Sequence, residues 1–128
     1  MDDANVPSLL SMPYLGYCKK EDTLYQHTRS FILSHHNPYY YQGTCASGIG
    51  SPHTSKNYIW HVVLSMQGLT GTKEEAKKMI NLILETSNNE GLCHEGFNKD
   101  EPSEYTRSWF AWANSLFAEL VYQTYFVK

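Results

Sequence analysis

The sequence predicts an all-α protein assembled as an array of helical hairpins. Two observations carry this expectation. Apolar residues recur at helical spacing in several segments that have recognisable starts and stops. Between those segments lie long, residue-rich loops, the arrangement expected where helices are joined at functional ends.

Taken in order, Val6–Gly16 is a short apolar stretch with Pro7 near its first turn, where a missing N–H is harmless. Asp22 is placed to cap a helix running to about His36, with Leu24, Thr28, Phe31, Ile32 and His35 at helical spacing and Asn37-Pro38 as its stop. Tyr58–Leu69 is apolar on nearly every side, the mark of a helix buried all round. Thr72-x-x-Glu75 reads as a capping box. Behind it Ala76, Met79, Ile80 and Ile83 form one stripe opposite Lys77, Lys78, Asn81 and Glu85, and Asn88-Asn89 and Gly91 end the helix. A last helix over about Tyr105–Phe126 sets Trp109, Trp112, Ala113, Leu116, Leu120 and Val121 along a broad apolar face, with small Ala111, Ser115 and Ala118 elsewhere on it. The middle and last helices need apolar neighbours on more sides than five helices supply. That predicts a piece of a larger closed helical assembly.

Composition excludes several function classes. A chain of 128 residues has the length of one domain, and 41% hydrophobic with 18% charged residues is globular. A net charge of −3 leaves no broad basic surface for nucleic acid. No apolar run reaches the roughly 20 residues of a bilayer span. The acidic start Met1-Asp2-Asp3 lacks the order of a signal peptide, and the three scattered cysteines Cys18, Cys45 and Cys93 favour a reducing, cytoplasmic setting. No zinc or paired-cysteine spacing is present, so neither metal nor cofactor is expected. The excess is aromatic, at 14% with ten Tyr and three Trp, which suits either a thick core or the stacking of sugar rings.

Most acidic residues have plain assignments on helix faces or in the Asp100–Glu104 loop. Glu95 stands apart, between His94 and Gly96-Phe97 and after apolar Leu92-Cys93. A carboxylate so placed suits general-base work on water, against the plainer reading of a loop Glu accepting backbone N–H groups. Asp2 and Asp3 read either as helix caps or as acceptors for paired sugar hydroxyls. His53, after the Gly48-Ile49-Gly50-Ser51-Pro52 turn, is either a surface histidine or one presented into a cavity. Cys93 beside His94 is a weak sign of a thiol nucleophile, since sequence neighbours seldom pair.

Five blocks then point one way. Asp2-Asp3-Ala4-Asn5-Val6-Pro7-Ser8-Leu9-Leu10, Asn37-Pro38-Tyr39-Tyr40, Gly48-Ile49-Gly50-Ser51-Pro52-His53, His94-Glu95 and Thr106-Arg107-Ser108-Trp109-Phe110-Ala111-Trp112-Ala113-Asn114-Ser115 resemble glycoside hydrolase family 125 in order and across almost the whole chain. The resemblance implies that residues 1–128 are the C-terminal part of a single (α/α)6 barrel catalytic domain that removes terminal α-1,6-linked mannose with inversion and without a metal. It implies Glu95 as the general base, and Asp2, Asp3, Asn5, His53, His94 and Arg107 as contacts to a mannose-containing oligosaccharide. Two positions depart from the family pattern: Gly96 replaces the usual Ser, and His61 follows Ile-Trp where Pro is common, a change expected to affect a helix start and little chemistry. The family's general acid lies in a block upstream of the segment matched by Met1, and no acidic residue here corresponds to it. This chain alone is therefore expected to be inactive. The alternatives are a non-catalytic carbohydrate-binding fragment and a helical structural fragment.

Overall fold

Eight buried residues, His61, Val62, Val63, Leu64, Ser65, Met66, Gly68 and Thr70, make the helix over His61–Thr70 the centre of the molecule. The computed structural model describes all of residues 1–128. In chain order it contains α1 (Thr23–Ile32), β1 (Tyr40–Gln42), β2 (Ser47–Ile49), β3 (Tyr58–Trp60), α2 (His61–Thr70), α3 (Lys73–Thr86), β4 (Gly96–Asn98), β5 (Tyr105–Thr106) and α4 (Ala111–Tyr125). Helices α3 and α4 both pack on α2. Gly68 permits the contact with α4, because a Cβ there would stand 2.8 Å from a methyl of Leu120. Ala76, Ile80 and Ile83 of α3 enter the same core, each large aliphatic contributing about 1.5–3 kcal/mol by its burial.

The cap signals act as local chemistry dictates. Asp22 accepts from the Tyr25 N–H at 3.1 Å, and Thr72 Oγ1 accepts from the Glu75 N–H at 3.2 Å. Glu75 does not return to the cap. Its carboxylate pairs with Arg29 of α1 at 2.8 Å and accepts from Gln67 at 3.0 Å, so half of the expected box instead joins α1 to the core helices.

The all-α expectation, and with it the reading of this chain as hairpins of an (α/α)6 barrel, is corrected. The fold is mixed α/β, with four helices and two small antiparallel sheets holding 11% of the residues in strands. In one sheet Tyr40 pairs Ile49, Tyr41 pairs Gly48 and Gln42 pairs Ser47. The other has the order β3-β4-β5, pairing Ile59 with Phe97, Trp60 with Gly96, and Phe97 with Tyr105. Tyr58–Trp60 and Tyr105–Thr106 thus leave the helices in which their apolar character had placed them. Short apolar runs fit either state, and here cross-strand pairing buries Ile59 and Phe97 completely.

Val6–Gly16 forms successive turns rather than a helix. Asp2 takes the amides of Leu9 and Leu10, while Ser8 and Ser11 hydroxyls accept each other's backbone N–H, so side chains compete with helical carbonyls for the donors. Helix α1 stops at Ile32, short of His36, where the Asn37 amide donates to the Ile32 carbonyl at 3.1 Å. No helix is long and apolar enough to cross a membrane.

Candidate active site

Strands β4 and β5 present the acidic candidate. Glu95 immediately precedes β4. Its N–H donates to the Thr106 carbonyl at 3.2 Å, and the Gly96 N–H donates to Thr106 Oγ1 at 3.0 Å. Just beyond β5, Arg107 adopts a left-handed backbone with φ of 57°, a conformation that costs a non-glycine residue about 1–2 kcal/mol. The turn brings Arg107 Nε to 3.5 Å from Glu95 Oε2 and lays the guanidinium 5.4 Å from the Phe110 ring centre. The Glu95 side chain is 17% exposed and that of Arg107 62%. A pair so open to solvent is worth at most about 1 kcal/mol. Its consequence is a sheltered carboxylate with a cation that remains free to meet a polar ligand.

Beneath Glu95 lies a buried histidine pair. His94 Nδ1 is 3.0 Å from the Arg107 carbonyl and 3.1 Å from that of Ser108. Both are acceptors, so this nitrogen carries the hydrogen. The His94 N–H donates to His61 Nδ1 at 2.8 Å. The opposite nitrogen of His61 is 2.9 Å from Thr86 Oγ1, whose own hydrogen goes to the Leu82 carbonyl at 2.7 Å. His61 is therefore the Nε2–H tautomer. Burial, with His94 adding to it, pushes its pKa down to about 3, which keeps the ring neutral. His94 stacks on Tyr105 at 3.8 Å between centroids, and His61 lies 4.7 Å from the Phe97 ring.

The amino-terminal candidates gather at the Gly50–Thr54 turn. The Ala4 N–H donates to the Gly50 carbonyl at 3.0 Å. Asp3 Oδ1 accepts the Asn5 backbone N–H at 2.9 Å and its side-chain amide at 3.3 Å. That amide lies 3.5 Å from Ser51 Oγ, which also accepts the His53 N–H at 3.2 Å. Asp3, Asn5 and the exposed His53 thus share one patch. Trp60 joins this patch to the first: its Nε1–H donates to Thr54 Oγ1 at 2.9 Å, and its indole lies against Gly96. A Cβ on Gly96 would stand 3.2 Å from the Trp60 ring, so the serine usual in the family would have to push the indole aside by a few tenths of an ångström. No hydrogen bond or ion pair links the two patches directly.

Two of the residues expected at substrate are buried, with the Asp2 oxygens and His94 Nδ1 bonded to backbone and His94 Nε2 without a partner. Asp2 is buried, with its oxygens 3.1 and 3.2 Å from the amides of Leu9 and Leu10. Burial raises its carboxyl above the usual range, and those two N–H groups pull the other way. His94 is wholly buried. Cys93 is buried as well, its thiol pushed up to about 12, which removes it as a nucleophile at neutral pH. The largest cleft, of about 550 Å³, lies by Gly71, Thr72 and Glu119 and includes none of these candidates.

Sequence reasoning missed three side chains that hold the site together. Asn37 satisfies all its bonding groups on the backbone of Asp2, Ile32 and Tyr39. Asn114 accepts the Cys93 N–H at 2.8 Å, and His61 accepts that of His94. The available signal for His61 was an imidazole at the head of a largely apolar segment.

The candidate site is thus a sheltered carboxylate beside an exposed cation, with polar and aromatic side chains around it, and comparison with known proteins identifies the family. The sequence model of the metal-independent alpha-mannosidases (GH125) matches residues 1–122, and the chain belongs to that family. It is 46% identical over 123 residues to the meiotically up-regulated gene 157 protein of Schizosaccharomyces pombe (strain 972), covering 94% of this chain and 24% of that protein. It also superposes, with a TM-score of 0.97 and 50% identity, on a metal-independent alpha mannosidase of Streptococcus pneumoniae solved as a non-productive complex with alpha-1,6-mannobiose. That match covers all of this chain and 30% of the other. The chain therefore spans 24% and 30% of the length of these two relatives.

Proposed function

We propose that this chain is the C-terminal part of a single catalytic domain that removes terminal α-1,6-linked mannose with inversion of configuration. The observation that carries the reading is Glu95, a sheltered carboxylate held at the start of the central strand β4 with Arg107 3.5 Å away. In the reaction Glu95 accepts a proton from water as that water attacks the anomeric carbon. A carboxylic acid from the upstream part of the domain protonates the departing oxygen. Inversion needs these two groups roughly 6.5–9.5 Å apart, which leaves room for the water. Arg107, His53, Asp3 and Asn5 present polar groups to the mannose hydroxyls, and Asp2 and His94 shape the backbone that carries them.

Two further observations support a larger domain. Tyr122 and Tyr125 on α4 stay exposed, as do Phe126 just after it and Trp109 before it, apolar surface suited to packing against more protein. The curated relative and the solved neighbour are also both much longer. The three free cysteines suit a reducing compartment.

The test is hydrolysis of α-1,6-mannobiose by the full-length protein, with the anomer released followed by NMR. We expect β-mannose as the first product, a loss of about 10²–10⁴-fold in kcat for Glu95→Gln, and no turnover by residues 1–128 alone. Full activity in Glu95→Gln, or turnover by the 128-residue chain, overturns the assignment.

A further inference from the structure

We propose that His61 is the positioning residue of the candidate base, an imidazole locked in one tautomer that fixes the peptide from which Glu95 projects. The inference rests on the reading of Glu95 as base. Three consecutive amides hold the Glu95 segment, each on a different element. Cys93 N–H donates to Asn114 of α4, His94 N–H to His61 of α2, and Glu95 N–H to the Thr106 carbonyl of β5. Fixing those peptide planes fixes the direction in which the Glu95 side chain leaves the backbone.

Of the three anchors, His61 alone could fail by a shift of tautomer, because its Nδ1 accepts only while the ring hydrogen sits on Nε2. Thr86 prevents this. Its hydroxyl hydrogen is committed to the Leu82 carbonyl, so its oxygen can only accept, and it takes the Nε2–H of His61 at 2.9 Å. The other ring nitrogen is then a bare lone pair, 2.8 Å from the His94 N–H. Phe97 and the stacked His94 ring close the sides, and His61 has no exposed surface. A chain of contacts therefore runs from the end of α3 through the first residue of α2 to the candidate base. A carboxylate that must meet a water and an anomeric carbon in line is sensitive to such aiming, since an error of about 1 Å can cost about 10²-fold in rate.

The experiment uses the full-length enzyme with His61→Phe, His61→Asn and Thr86→Val. Phenylalanine keeps the ring and removes both nitrogens, whereas asparagine keeps an acceptor oxygen near the Nδ1 position. We expect His61→Phe to lose about tenfold or more in kcat with KM within about twofold, and His61→Asn to recover most of it at a similar melting temperature. Long-range ¹⁵N NMR should show a bare Nδ1 and a protonated Nε2 on His61, with a tautomer mixture in Thr86→Val. Equal kcat for the Phe and Asn variants, or a protonated Nδ1 in the native protein, overturns the proposal. If His61→Phe does not fold, unchanged kcat and an unchanged His61 spectrum in Thr86→Val do the same. Glu95→Gln is run alongside: if it keeps activity, the base assignment has failed, whereas an inactive Glu95→Gln with a fully active His61→Phe defeats the positioning role alone.

Discussion

Replacing Asp2 with alanine separates a carboxylate that binds sugar from one that builds the site. Its two oxygens accept the amides of Leu9 and Leu10 at 3.1 and 3.2 Å. Leu10 is wholly buried and its carbonyl is already taken by the Tyr25 hydroxyl at 2.7 Å, so its amide has no ready route to water. Leaving one buried donor unsatisfied costs about 1–3 kcal/mol, and a bond to a charged acceptor is worth about 1.5–3 kcal/mol. Leu9 is partly exposed and recovers much of its loss from solvent. The burial that raises the Asp2 carboxyl means that its charge is itself poorly solvated, and removing it returns part of the deficit. The net expectation for Asp2→Ala is a loss of about 2–4 kcal/mol. Asp2→Asn keeps one acceptor but turns an NH₂ toward an N–H, and should lose about half as much. Equilibrium denaturation at pH 7, together with hydrogen exchange at Leu9 and Leu10 and a mannobiose titration, reads all of this. Native stability and full protection at Leu10, with sugar affinity abolished, would refute the structural role and make Asp2 a direct ligand.

Two further outcomes follow from the same geometry. In Gly50→Ala the new Cβ would meet the Tyr58 carbonyl and stand 2.6 Å from a Tyr41 ring carbon, while Gly50 is pinned through both its N–H and its C=O. A loss of about 3 kcal/mol or more is expected, and an unchanged denaturation midpoint would show that the turn carrying His53 is not held as described. Stability should also fall as pH drops from about 6.5 towards about 3, because the unfolded chain protonates His61 throughout that window while the folded chain does not. The slope from this group is at most about 1.4 kcal/mol per pH unit. Denaturation series on the native protein and on His61→Phe should differ in pH slope there and by a constant offset above pH 7; parallel curves throughout would contradict a buried neutral imidazole.

The sequence by itself determined what is encoded over a few neighbouring residues. Asp22 and Thr72 cap the helices that follow them, because a side-chain oxygen reaches an amide three residues on whatever the rest of the chain does. Of the stripe Ala76, Met79, Ile80 and Ile83, three are likewise buried as the spacing required and Met79 is half-buried. The ordered blocks around Asp2, His53, Glu95 and Arg107 were sufficient to place the chain in its family.

Tertiary structure decided the rest, because the deciding partners are far away along the chain. Tyr58–Trp60 is extended only since Gly96–Asn98 lies beside it, and no periodicity within either segment announces the other. Glu75 had a complete local role available in its capping box and gave it up for Arg29, forty-six positions earlier. His61 read as a change at a helix start. Its ring instead bridges Thr86 and His94, 25 and 33 positions away, and only the packed core makes those bonds strong by excluding water from them.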